Sequence, residues 1–141
     1  MSIKHVIPYI QLNGAASKAI ALYQEALGAT VKGEIMRYSQ VPGGSVPADL
    51  ANLVMHCVLQ VGAELLMISD STPDRPVPDR ANVSILLEVD TPDELQRAFD
   101  ALSKGGTVEM PVHDAFWGAK FGILVDAFGV RWNFHAGQMS A

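Results

Sequence analysis

The sequence predicts a single α+β domain built from two tandem βαβββ repeats. Two observations lead to this prediction. A strand, a helix and three further strands can be traced before residue 71, and the same order returns after residue 81. In addition, LYQEALGATV begins at Leu22 and FDALSKGGTV begins at Phe99, and the offset of 77 residues between them aligns Gly28 with Gly105. The matching order and the shared helix-to-strand junction together indicate a duplication.

All 141 residues are expected in this domain, with repeat one at 1–70, a linker at 71–80 and repeat two at 81–137. Apolar residues make up 49% of the chain and charged residues 18%, which allows a packed core. The formal net charge of -5 argues against a nucleic-acid-binding face and against docking on anionic membranes. No apolar run approaches the roughly 20 residues that cross a bilayer. The single cysteine, Cys57, lies in an apolar run and is expected to be buried in a cytoplasmic protein.

In repeat one we expect a helix at 15–27 and strands at 3–12, 29–39, 53–61 and 63–70. Asn13 is placed to cap the helix, and Gly28 ends it. The segment 39–52 is rich in glycine and proline, which is typical of a mobile loop, and it could act as a lid.

In repeat two we expect strands at 82–90, 107–113, 120–126 and 130–135. Thr91, Pro92 and Glu94 predict a helix start with a capping box, and Gly105 and Gly106 mark its end. Each helix can cover only one face of its sheet. Two such halves side by side predict a curved mixed sheet of about eight strands, with a concave cleft on the face without helices.

The last strand, VRWNFH, shows which side chains would face this cleft. Trp132 and Phe134 belong to the apolar, core-facing set, whereas Arg131, Asn133 and His135 alternate with them. Such a polar set can line a cleft, or it can form an ordinary solvated face. The candidate ligand-binding residues are Tyr38, His56, Ser84, Phe116, Trp117, Arg131, Asn133 and His135.

Two of these candidates have clear alternatives. His56 lies among apolar residues, so a hydrogen-bonded core histidine is as consistent with the pattern as a functional one. Phe116 and Trp117 lie in a glycine-containing loop between two strands, where an aromatic pair can form a hydrophobic plug or a pocket wall. Tyr38 could add to such a wall.

Several segments resemble PhnB-like proteins of the vicinal oxygen chelate superfamily, which includes glyoxalases, bleomycin-resistance proteins and dioxygenases. These segments are PYIQLNGAASKAIALYQEALGA, MHCVLQVGAELLMISD, LSKGGTVEMP and, most specifically, FWGAKFGILVDAFGVRWNF. The resemblance implies the βαβββ duplication and a homodimer. In the wider superfamily it also implies a divalent metal, held by His or Glu from the first and last strands of each half.

The positions that would hold this metal carry unsuitable residues. The resemblance assigns them to Pro8, to Leu66 or Met67, to Ser84 and to Asn133. Proline, leucine and methionine are not ligands for a hard cation, and serine and asparagine are weak ones. The sequence therefore predicts no metal and no other cofactor.

Three functional hypotheses follow. The first is a metal-free homodimeric protein that binds a small anionic or carbonyl-bearing molecule, for which Arg131 would supply charge-assisted hydrogen bonds. The second is a metal-dependent lyase, isomerase or dioxygenase with a non-standard set of metal ligands, such as His56 and His135 with Asp70 or Glu88. The third is a structural dimeric module whose cleft is filled by side chains.

Overall fold

The computed structural model describes residues 1–41, 46–78 and 82–137. Contacts between residues divide the chain into two compact units, Met1–Pro78 and Asp79–Ala141. Each unit holds one βαβββ repeat with its own four-stranded mixed sheet, so the predicted duplication and the α+β class are confirmed. The expected lid at 39–52 and the expected linker at 71–80 both extend outside the described residues.

The first unit contains β1 (Tyr9–Leu12), α1 (Ala16–Leu27), β2 (Thr30–Arg37), a 3-10 turn (Tyr38–Gln40), β3 (Val54–Val61) and β4 (Glu64–Asp70). The strand order is β1-β4-β3-β2, with β1 parallel to β4 and the other pairs antiparallel. Helix α1 packs on β3 and β4 through Ala16, Ala19, Ile20 and Tyr23, which recur at helical spacing and are all buried.

The second unit contains β5 (Ile85–Glu88), α2 (Pro92–Leu102), β6 (Thr107–Asp114), β7 (Lys120–Val125) and β8 (Arg131–Ala136). Its strand order, β5-β8-β7-β6, repeats that of the first unit, again with only the first and last strands parallel. Helix α2 packs on β7 and β8, and its buried side chains are Leu95, Phe99 and Leu102.

The first strand of each repeat is shorter than the sequence pattern suggests. β1 begins at Tyr9 rather than at residue 3, and β5 covers Ile85–Glu88 rather than 82–90. The parallel ladder of β1 pairs only Tyr9 to Leu12 with β4, and apolar residues before it, such as Val6, remain exposed. The apolar residues that suggested longer first strands therefore lie beyond the point where a partner strand is present.

The two helices begin differently. Thr91 caps α2 as predicted, since its hydroxyl accepts a hydrogen bond from the Glu94 amide. Asn13 does not cap α1; its side chain instead exchanges two hydrogen bonds with the backbone of Val77. The buried carboxylate of Asp70 takes over at α1, where it accepts from the amides of Gly14 and Ala16. A distant residue thus replaces the local cap.

Cys57 is fully buried on β3, as the apolar run predicted. Burial raises the pKa of its thiol, and the positive charge of Arg37 offsets part of this rise in the pKa. The thiol therefore has little nucleophilic character at neutral pH. Among the described residues, no helix is both long enough and apolar enough to span a bilayer.

Candidate ligand-binding site

Strand β8 separates apolar and polar side chains onto opposite faces of the second sheet. The ring of Phe134 is buried and makes an edge-to-face contact with Phe99 of α2 at a centroid distance of 5.4 Å. Since successive strand residues point to opposite faces, Arg131, Asn133 and His135 lie on the face turned away from α2. We call the face that carries these three residues the open face of the second sheet.

Neighbouring strands extend the open face in register. In the parallel pair of β5 and β8, Leu86 lies beside Asn133 and Glu88 lies beside His135. On the other side, Phe121 of β7 is the register partner of His135. The open face therefore mixes polar and apolar groups, and Leu86 is 48% exposed.

Ser84 and Asn133 form one polar pair on this face. The Asn133 amide nitrogen donates to the Ser84 hydroxyl oxygen at 2.5 Å, and both side chains are partly buried. The pair positions each side chain, while the serine hydroxyl proton and the asparagine carbonyl oxygen can still make further bonds. Asn133 lies within β8, and Ser84 lies directly before the first residue of β5.

Arg131 forms a two-point ion pair that the sequence did not predict. Its Nε and Nη2 atoms lie 3.2 and 3.4 Å from the two carboxylate oxygens of Glu109 on β6. The strand register between β6 and β7 shifts between Val108 and Met110, which is where Glu109 lies. Since such irregularities are not visible in the alternation of residues, this partner was missed, and the Arg131 charge is already compensated.

His135 and Trp117 form the second polar pair. The indole Nε1 of Trp117 donates to His135 Nε2 at 3.1 Å. The two ring planes differ by only 7° and their centroids lie 6.2 Å apart, so the rings lie side by side with an in-plane hydrogen bond. His135 is only 3% exposed, although it belongs to the polar set of β8.

The loop between β6 and β7 carries an exposed aromatic group. Ala115 and Ala119 are joined by a backbone hydrogen bond of 2.7 Å, which closes the loop around Phe116 and Trp117. Phe116 is 96% exposed and meets Trp117 edge to face at 4.9 Å. Phe116 is therefore not a plug, whereas Trp117 is anchored by His135.

Tyr38 and His56 lie in the first unit, while the other six candidates lie in the second. The hydroxyl of Tyr9 lies 3.0 Å from His56 Nδ1, so His56 is a half-buried, hydrogen-bonded histidine. The Tyr38 hydroxyl donates to the backbone oxygen of Asp70 at 2.8 Å. The sequence did not single out Tyr9, because a tyrosine in a strand is most often a packing residue.

Pro8, the first-strand position that the resemblance assigns to the metal, lies directly before β1. The Met67 amide donates to the Pro8 carbonyl at 2.9 Å, which extends the parallel ladder of β1 and β4. Alternation along this ladder puts Pro8 on the side of the buried Ile10, so Ile7 takes the opposite side. Neither Pro8 nor Ile7 has a side-chain atom that could bind a divalent cation.

The other positions do not fit a divalent cation either. Met67, rather than the buried Leu66, lies on the side away from α1 and offers only a soft thioether. Ser84 and Asn133 are hydrogen-bonded to each other. Within the described ranges, no cluster of three or more His, Cys, Asp or Glu side chains could hold a metal. The residues present therefore do not match the metal centre of the wider superfamily.

Comparison with known proteins identifies the family. The family model of the Glyoxalase/Bleomycin resistance protein/Dioxygenase superfamily matches residues 2–134. The chain is 36% identical to protein PA1353 from Pseudomonas aeruginosa, with a TM-score of 0.85 over 97% of this chain and 100% of that one.

Two further relatives agree with this assignment. Protein YjdN of Escherichia coli is 29% identical over 133 residues, which cover 89% of this chain and 90% of that protein. The PhnB protein from Bacillus cereus is 21% identical with a TM-score of 0.75, over 95% of this chain and 100% of that one, and supports the fold. The chain therefore belongs to the glyoxalase/bleomycin resistance protein/dioxygenase superfamily and has PhnB-like proteins among its structural relatives.

Proposed function

We propose that this PhnB-like protein binds a small carbonyl-bearing or anionic molecule on the open face of the second sheet, without the superfamily metal. The observation that carries the proposal is the grouping of Ser84, next to β5, with Asn133 and His135 of β8, beside the loop that carries Phe116 and Trp117. A few convergent polar groups on a rigid scaffold next to apolar surface are typical of small-molecule sites.

The two kinds of surface suit two parts of a ligand. The Phe116 and Trp117 rings offer apolar area to a flat or hydrophobic portion. The Ser84 hydroxyl can donate to a ligand oxygen while it accepts from Asn133. An apolar surface next to a hydroxyl donor suits a ligand that combines an apolar group with a carbonyl oxygen.

The ion pair of Arg131 bears on the choice between a carbonyl and an anion. Both guanidinium contacts go to Glu109, so an anionic group would have to compete with a carboxylate that is already present. The pair is partly exposed, at 32% and 40% of the two side chains, and such pairs contribute only about 0–1 kcal/mol. An anion that binds Arg131 must therefore displace Glu109, whereas a carbonyl oxygen that accepts from the Ser84 hydroxyl does not compete with this carboxylate.

We propose further that the protein acts as a homodimer, as the resemblance implies. Large apolar side chains are exposed on the described surface, including Tyr9, Met36, Leu86, Val108 and Met110. Sedimentation analysis should give twice the chain mass of 15.1 kDa. A single-chain mass at micromolar concentration would contradict the dimer without affecting the binding face.

The binding proposal predicts that ligands stabilise the wild type and fail to stabilise a variant without the polar pair. We expect carbonyl compounds and carboxylates from a fragment library to raise the melting temperature. The double variant Ser84→Ala/Asn133→Ala should bind these hits roughly tenfold less tightly, since it lacks two hydrogen-bonding groups. Asn82→Ala, which removes an amide at an exposed residue before β5, serves as the matched control.

Two outcomes would contradict the proposal. If no fragment binds, the chain behaves as a structural module. If the hits bind the double variant as tightly as the wild type, the open face of the second sheet is not the binding surface. Retained melting temperature of the unliganded double variant would show that the loss of binding does not reflect unfolding.

A further inference from the structure

His135 is a buried imidazole that has a partner at only one of its two nitrogen atoms. The side chain is 3% exposed, and its Nε2 accepts a hydrogen bond from the Trp117 indole. Nδ1 is also buried, and no group in the described part of the chain forms a hydrogen bond with it. Buried polar atoms without a partner are uncommon in folded proteins, so this atom calls for a specific explanation.

Trp117 determines which nitrogen of His135 carries the proton. An indole N–H can only donate, so Nε2 must be the unprotonated acceptor. A neutral imidazole then carries its proton on Nδ1, which makes the unpartnered atom a donor. A doubly protonated ring would have N–H groups at both positions and could not accept from Trp117.

The position of this donor relates it to the ligand face. His135 is two residues from Asn133 on β8 and shares its face of the sheet. Leu86 and Glu88, its neighbours on β5, are exposed. A ligand oxygen can reach Nδ1 only after the side chains that bury this atom change rotamer, a motion that exposed side chains complete within picoseconds to nanoseconds.

We propose that His135 determines ligand specificity: its Nδ1–H donates to an acceptor oxygen of the ligand, a carbonyl or a carboxylate. Trp117 is the positioning residue, because its N–H sets the tautomer. This inference rests on the proposed function of the open face. It assigns oxygen recognition to a neutral donor without a competing partner, rather than to Arg131, whose charge Glu109 already compensates. Ligands of the same shape without an acceptor oxygen should bind less tightly.

The tautomer is tested without any ligand, by long-range 1H–15N correlation spectra of the histidine side chains in the full chain. At neutral pH we expect His135 to be protonated at Nδ1. Trp117→Phe removes the donor but keeps an aromatic ring, and should shift His135 toward the Nε2-protonated form. Asn82→Ala, at an exposed residue before β5, is the control and should leave the tautomer unchanged. Protonation at Nε2 in the wild type would overturn the inference.

The acceptor requirement is tested with acetophenone, with ethylbenzene, which has a methylene group in place of the carbonyl group, and with benzoate. We expect all three probes to shift the Trp117 indole signal, because they share the aromatic ring. Only acetophenone and benzoate should shift the His135 Nδ1 signal, and acetophenone should bind roughly fivefold more tightly than ethylbenzene. His135→Phe should abolish this preference. If that variant does not fold, Trp117→Phe provides the test, because the change of tautomer removes the Nδ1–H donor and should reduce the preference.

The outcomes separate this inference from the binding proposal. If the probes shift Trp117 but acetophenone and ethylbenzene bind equally well, the role of His135 is refuted and the binding face stands. If none of the probes shifts signals of the open face, both proposals are refuted. A preference for acetophenone that persists in His135→Phe would assign oxygen recognition to another donor.

Discussion

Asp70 shows how one side chain can organise several backbone segments. It is 2% exposed, and its Oδ1 accepts from the amides of Gly14 and Ala16, while Oδ2 accepts from Val54 at 3.0 Å. A carboxylate is suited to this role because both oxygens act only as acceptors and the bonds are charge-assisted. The start of α1 and the start of β3 are thus tied to the end of β4.

Asp70→Asn should destabilise the protein by about 2–3 kcal/mol. The variant has nearly the same shape, but its amide group would have to turn an N–H donor toward one of the backbone N–H donors. Urea unfolding of the full chain measures the effect, with Asp49→Asn at an exposed position as the control. Equal unfolding midpoints for both variants would mean that Asp70 does not hold these segments together.

Residues with local partners were predictable, and residues with distant partners were not. Thr91 caps α2 through an amide three residues away, so the sequence pattern was sufficient. The α1 cap comes from Asp70, 54 residues from Ala16, and the pattern around Asn13 gave no sign of it. The same reason explains why Glu109, the partner of Arg131, was missed.

At the scale of elements, the junction between α2 and β6 depends on close backbone contact. The sequence predicted that Gly105 and Gly106 end the helix, whereas α2 ends at Leu102 and Ser103 takes the cap position. Gly106 has a different role, because a Cβ atom there would lie 2.2 Å from the Val125 carbonyl oxygen. The glycine lets this segment pass close to the end of β7, a requirement that emerges only from the packed structure.

Gly106→Ala should therefore destabilise the second unit by about 2–4 kcal/mol, since backbone rather than a flexible side chain must move. Gly129→Ala is the matched control: it has a positive φ of 88° but no atom within 4 Å of an added Cβ. That substitution should cost only about 1–2 kcal/mol of backbone strain. A thermal melt in which Gly129→Ala is the less stable variant would contradict the close contact.

At the scale of the whole molecule, the duplication was the most predictable feature, because the element order and the helix-to-strand junction both repeat. The structure extends the correspondence to the sheets, since both units have the same strand order and the same parallel pair. Equivalent positions have nevertheless diverged: Met67 pairs with Val58 as Asn133 pairs with Ile123. The ligand itself could not be predicted, because these positions carry neither a set of metal-binding residues nor any other specific motif.

The ligand binding proposed for the open face of the second sheet requires that the superfamily metal be absent from this protein. The measurement that tests it most directly is metal analysis of protein purified without chelator. We expect less than about a tenth of a divalent ion per chain, and an unchanged metal content in His56→Ala and His135→Ala. One tightly bound ion per chain that is lost in these two variants would contradict the account and favour a metal-dependent lyase, isomerase or dioxygenase.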